Sequence, residues 1–172
     1  AKYISTPLND RLVLHNRQAD ENETDDTENI VELGNSMHLW LANIRRWEDA
    51  QPALQRLIVK DDINTQLIDT MQQQLMALKN LIINNQHNDW FTNEYHILTE
   101  QEIITTSPQK YRPDRIMIKD KQAIVIDYKF GHQQSPTYIE QIRDYILLLR
   151  ELGYTTKGYI IYNQLQTIQA ID

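Results

Sequence analysis

A strand, a helix and a second strand near the C-terminal end constrain this chain more than any other feature. Residues 123–128, Ala-Ile-Val-Ile-Asp-Tyr, form a short run rich in β-branched and aromatic side chains, as a buried strand requires. Thr137, with Glu140 three residues later, is a capping-box signature; Tyr138, Ile142, Tyr145, Leu149 and Leu152 follow at helical spacing, and Gly153 closes the helix. Residues 158–162, Gly-Tyr-Ile-Ile-Tyr, read as another buried strand. That order makes a crossover unit, so the two strands are expected to pair in parallel.

Upstream, residues 90–98, 102–106 and 114–118 are short runs of the same kind, predicted to join residues 123–128 as an antiparallel meander. Before them the period is helical. Ser36 is placed as an N-cap for a helix carrying Met37, Trp40, Leu41, Ile44 and Trp47. Pro52 opens a short second helix with Leu54, Leu57 and Ile58, and Ile63, Leu67, Met71, Leu75, Leu78 and Ile82 mark a long third. Residues 1–33 have little periodicity, and the acidic run over residues 20–28 reads as a flexible linker. The expected fold class is α/β: a mixed β-sheet flanked by helices, with a helical N-terminal half. Residues 34–172 would form one domain, helical over 34–85, with the sheet and its helix over 89–163.

A chain of 172 residues suits one domain with a substantial core. No run of about 18 apolar residues is present, nor the apolar core of a secretory signal, so the expectation is a soluble intracellular protein with no membrane partner. The chain opens on Ala1 without an initiator Met, as an excised piece of a longer protein would. With no cysteine, disulfides, thiolate zinc sites and iron–sulfur clusters are excluded, and any metal must be held by oxygen or imidazole. A formal charge of -7 argues against an indiscriminate polyanion binder. Lys110, Arg112, Arg115, Lys119, Lys121, Lys129, Arg143 and Lys157 nevertheless fall near the predicted strands.

Charges at the end of a buried strand need a reason, because burying one costs several kcal/mol unless it is paired or binds a metal. Alternation puts Asp127 and Lys129 on one face with Val125, while Ile126 and Tyr128 point the other way. Asp114, which begins the preceding strand, would come beside Asp127 across a hairpin. Two carboxylates and a cation in one small volume are what metal-assisted phosphodiester hydrolysis needs, and Mg²⁺ suits such ligands. Lys129, protonated, could stabilise developing charge but not act as a base.

Five motifs occur in order: Gly34-Asn-Ser-Met-His38, Asn93-Glu94-Tyr95, Arg112-Pro-Asp-Arg115, Ile126-Asp-Tyr-Lys129-Phe-Gly131 and Gln141-Ile-Arg-Asp-Tyr145. In these the chain resembles the PD-(D/E)XK nucleases, and within them the C-terminal nuclease domain of RecB- and AddA-type (UvrD-like) helicase-nucleases. The resemblance implies a restriction-endonuclease-like fold and an exonuclease-type, metal-dependent DNA nuclease that processes DNA ends in double-strand break repair. It implies His38, Asp114, Asp127 and the backbone carbonyl of Tyr128 as ligands of Mg²⁺ or Mn²⁺, Lys129 as the catalytic lysine, and Glu94 as a further acidic member. Gln141, Tyr145, Arg112 and Arg115 would face DNA. Single-stranded DNA ends, a helicase motor in the same polypeptide and a second helicase-nuclease subunit are the implied partners, in the bacterial cytoplasm. The phosphate loop G-x-x-x-x-G-K-[ST] is absent, so ATP use would lie outside this chain.

Blander readings stand beside these. Without the motif order His38 reads as an interfacial histidine; Glu94 reads alternatively as a solvent-facing charge, and Gln141 with Tyr145 as packing residues. The whole chain reads alternatively as a catalytically inactive DNA-binding or docking domain, or as a stand-alone restriction-like endonuclease or junction resolvase.

Overall fold

The structure, a computed structural model, describes residues 21–99 and 112–172, with side chains from residue 26 onward. Three helices come first: α1 (Glu21–Leu41), α2 (Ala50–Val59) and α3 (Ile68–Asn84). Then follow β1 (His96–Thr99), β2 (Arg115–Lys119), β3 (Gln122–Lys129), α4 (Pro136–Glu151), β4 (Thr155–Tyr162) and β5 (Thr167–Ile171). The strands form one sheet in the order β1-β2-β3-β4-β5. β3 and β4 are parallel and every other pair is antiparallel. The chain is thus mixed α/β, and the crossover expected from residues 123–162 is present.

Each face of the sheet is covered. Ile97, Met117, Ile126, Tyr128 and Ile161 pack with Met37, Trp40, Leu54, Met71, Leu78 and Ile82 from α1–α3. Ile116, Ala123, Val125, Ile160 and Tyr162 pack with Ile142, Tyr145, Ile146 and Leu149 of α4. The alternation of β3 between these two cores is the period-two pattern read from its sequence. Gly158 lets α4 lie close on β4, since a Cβ there would meet Ile142 Cγ2 and Ile146 Cδ1, both at 2.6 Å. No helix of the described residues is long and apolar enough to cross a membrane.

Five details differ from expectation. α1 begins at Glu21 rather than at Ser36, and runs through much of the stretch read as an acidic linker. Carboxylates are favoured toward the positive end of a helix, so a concentrated acidic run is compatible with one; Ser36 is a buried mid-helix residue. α1 stops at Leu41, and a short turn in which Arg46 N–H donates to Asp49 Oδ2 at 2.9 Å redirects the chain into α2. α4 is capped two residues ahead of Thr137, with Ser135 Oγ accepting from the Thr137 N–H and Pro136 opening the helix. The strand expected over 90–98 shrinks to His96–Thr99, because Trp90 and Phe91 serve the helical layer instead: Trp90 stacks on His87 at 3.8 Å and Phe91 on Trp47 at 3.9 Å. The strand expected over residues 102–106 lies outside the described residues. β5, a half-exposed edge strand, was not anticipated.

Candidate active site

The hairpin register places the acidic pair. Arg115 of β2 lies opposite Ile126 of β3, so the preceding Asp114 lies opposite Asp127. Facing residues of an antiparallel pair share a sheet face at Cβ separations of about 5 Å. Both aspartates are buried. Asp114 is locked in place: Oδ2 accepts the Tyr128 N–H at 2.8 Å, and Oδ1 lies 3.0 Å from Nδ1 of His38 on α1. A carboxylate only accepts, so the Nδ1 proton lies between them in this contact. The imidazole also rests edge-on against Phe130, at 5.5 Å between centroids. Backbone N–H and C=O of one strand residue point to the same neighbour, so the Tyr128 carbonyl faces the side on which Asp114 lies.

Lys129 completes the group. Its Nζ is 2.6 Å from Asp127 Oδ2 and 4.1 Å from the ring centre of Tyr138 on α4. Burial alone would lower its pKa, but the Asp127 carboxylate beside it, with Asp114 behind, more than offsets burial and holds the ammonium above the ordinary lysine range. Its carbonyl is fixed as well. Asn163 N–H donates to Lys129 O at 2.9 Å, and the Asn163 side chain donates to the carbonyl and side-chain oxygens of Gln74 on α3. The end of β3 is therefore tied to β4, to both helical layers and to the loop after β4. It is the carboxyl end of a parallel pair, where α/β sheets commonly place their ligand sites.

His38, Asp114, Asp127 and Lys129 thus come together. Tyr145 is buried under the sheet, its hydroxyl pushed to higher pKa by burial, with the nearby Arg112 charge acting in the opposite sense. Gln141 lies half-buried one turn earlier on α4. Two residues do not join the site. Glu94 sits in the turn before β1 and is exposed, its Oε2 accepting from Lys119 Nζ at 2.6 Å. Lys119 is five residues from Asp114, roughly 16 Å of strand, at the opposite end of the hairpin. Arg115 is 1% exposed and unable to face DNA. Its guanidinium donates to the carbonyls of Ile44, Arg45 and Trp90 at 2.6–2.8 Å and lies 3.9 Å from the Phe91 ring centre. It joins the α1–α2 turn and the segment before β1 to the sheet.

Among the described residues no three His, Asp or Glu side chains are arranged as a ready metal cage. Asp114 is engaged by His38 and a backbone N–H, and Asp127 Oδ2 by Lys129. The sequence reading missed Tyr138 and Asn163. Tyr138 belongs to the apolar stripe of α4 and was assigned to its core, and Asn163 follows the last residue of a strand with no motif to mark it. No family model, no curated protein and no solved structure matches this chain.

Proposed function

We propose that this chain is a divalent-metal-dependent deoxyribonuclease domain of PD-(D/E)XK type, of the kind carried by helicase-nucleases that process DNA ends. The observation that carries it is the cluster at the carboxyl end of β3: Asp114 beside Asp127, His38 on the one and Lys129 on the other. Two adjacent buried carboxylates repel each other and phosphate alike, so gathering both at one spot is costly unless a cation is drawn there. A cation-dependent reaction gives them a purpose.

The donor set fits Mg²⁺ or Mn²⁺, which are usually fixed by one or two carboxylates together with substrate phosphate. Asp114, Asp127, His38 and the Tyr128 carbonyl would hold it; His38 adds a nitrogen ligand that Mn²⁺ accepts more readily than Mg²⁺. When bound, the metal neutralises phosphate charge and lowers the pKa of a water. Lys129 stays protonated and donates to developing negative charge. Asp127 orients that ammonium. Arg112 lies on the same side, near Tyr145, where a phosphate could meet it.

The test is cleavage of a single-stranded oligonucleotide in Mg²⁺ and Mn²⁺. Asp114→Asn, Asp127→Asn and Lys129→Met should each lose at least about a thousandfold in rate. Undiminished cutting by all three ends the proposal. The closed pairing of both aspartates favours a second reading, a nuclease-fold DNA-binding or docking domain that does not cut. Calorimetry separates the two: heat from Mn²⁺ binding supports the nuclease, whereas DNA binding in chelator with no Mn²⁺ heat supports docking.

A further inference from the structure

We propose that Tyr138 is a positioning residue for Lys129, holding the ammonium over the site when Asp127 releases it. The consequence for catalysis rests on the nuclease reading; the contact itself does not. Lys129 Nζ has two anchors of different kinds, the Asp127 carboxylate at 2.6 Å and the Tyr138 ring face at 4.1 Å. Asp127 Oδ2 cannot grip the ammonium and serve a second cation at full strength. An ammonium anchored by the carboxylate alone would then swing out past the end of β3 into water. The negative face of an aromatic ring attracts a cation without bearing a charge, so it retains the ammonium without competing for the metal.

Local structure explains why this residue is placed for the task. Ser135 caps α4 and Pro136 opens it, so Tyr138 falls in the first turn, level with the carboxyl end of β3. Ile142, Tyr145 and Ile146 further along are buried under the sheet, whereas Tyr138 is only half-buried, at the margin of that cluster. Its ring face is the part in contact. Phenylalanine should therefore substitute for it and leucine should not.

The experiment compares wild type, Tyr138→Phe, Tyr138→Leu and a series with progressively fluorinated phenylalanine at position 138. Fluorination weakens the ring's negative face at nearly constant size, so folding is not at issue. Two readouts are taken: kcat and KM for Mg²⁺-dependent cleavage of a single-stranded oligonucleotide, and the NMR signals of the Lys129 ε-methylene in protein labelled at lysine. Those signals are assigned by their loss in Lys129→Arg. Tyr138→Phe is expected to stay within about twofold of wild type, and Tyr138→Leu to lose about tenfold in kcat, equivalent to ~1.4 kcal/mol, at unchanged KM. Fluorination should lower kcat stepwise. The ε-methylene protons should be shielded in wild type and Tyr138→Phe and return to ordinary lysine positions in Tyr138→Leu. An unmoved Lys129 signal in Tyr138→Leu overturns the proposal, as does an active enzyme indifferent to fluorination. If the signal moves as expected but wild type does not cut, the contact stands and the nuclease reading falls.

Discussion

Two lysine–carboxylate pairs bracket the β2–β3 hairpin, and each closes at 2.6 Å. At the turn end, the Lys119 and Glu94 side chains are 48% and 52% exposed; at the open end, those of Lys129 and Asp127 are 16% and 2% exposed. Distance does not distinguish the pairs, but water does. Lys119 is raised in pKa chiefly by its hydrogen bond to Glu94 and the Glu94 charge, which outweigh a smaller opposing effect of desolvation. Lys129 is raised in spite of burial, because Asp127 outweighs it. The exposed pair can part at little cost, since water takes up both charges. The buried pair cannot, and whatever replaces one partner must satisfy the other. On the nuclease reading proposed above, that dependence is what the open end of the hairpin would use.

The largest effect should come from breaking the buried pair on one side. Asp127→Leu strands an ammonium and Lys129→Met strands a carboxylate, and each should cost about 3–5 kcal/mol, lowering Tm by about 10 °C or more. The double variant should recover most of that loss, and urea denaturation of all four proteins completes the cycle. A double variant as unstable as the sum of the singles would mean that the pair is not coupled and that the comparison fails. The pH dependence has a definite sign. A lysine whose folded pKa is raised contributes stability fully below its unfolded value of 10.5, and loses it as pH climbs through the folded pKa. The gap between wild type and Lys129→Met should therefore stay constant near neutrality and narrow only above pH 10.5.

Arg115 sharpens the contrast from another side, being a buried charge whose hydrogen bonds go to backbone carbonyls, with the Asp49 carboxylate acting on it only as a minor, longer-range influence. Burial lowers its pKa to about 10, which still leaves it cationic at neutral pH. Three carbonyls and the face of Phe91 stand where an anion would be. Arg115→Met should cost about 2–3 kcal/mol by orphaning those carbonyls, and Arg115→Lys should rescue little, because an ammonium cannot reproduce the planar fork. Urea midpoints measure both. A neutral Arg115→Met would show that the three contacts do not fasten the helical layer to the sheet.

Arg115 also marks the limit of what the sequence could disclose. The strand–helix–strand unit was legible because β-branched runs and a capped amphipathic helix carry their periods locally. Asp114, Asp127 and Lys129 were legible for a related reason: period two and one hairpin suffice to gather them. Arg115 differs from Arg112 only in facing the α1–α2 turn, a contact some 70 residues away in sequence that no local pattern encodes. Tyr138 was hidden by its own apolar stripe, since a ring that packs and a ring that holds a cation look alike in sequence. The acidic run misled for a third reason. High charge reads as a solvated linker, but Asp26, Glu28 and Glu32 are exposed on a helix whose inner face, from Leu33 through Met37 to Trp40, belongs to the core.

The smallest effect should come from the exposed pair, and it is the sharpest check on which carboxylates belong to the site. Lys119→Ala and Glu94→Gln should each be indistinguishable from wild type in Tm at about 0.15 M ionic strength, where surface charges are largely screened. A slight loss should emerge only at low salt, and the double variant should lose no more than either single one. In the cleavage assay both should cut at the wild-type rate, because Glu94 contacts Lys119 at the far end of the hairpin and its charge would reach the aspartates only through solvent. Loss of cleavage in Glu94→Gln comparable to that in Asp114→Asn, with Tm unchanged, would reverse the assignment. The segment before β1 would then have to swing Glu94 toward Asp114 when substrate binds, and Lys119 would be its resting partner. Lys119→Ala discriminates further: freeing Glu94 should then raise the rate, whereas a pair confined to the turn leaves it untouched.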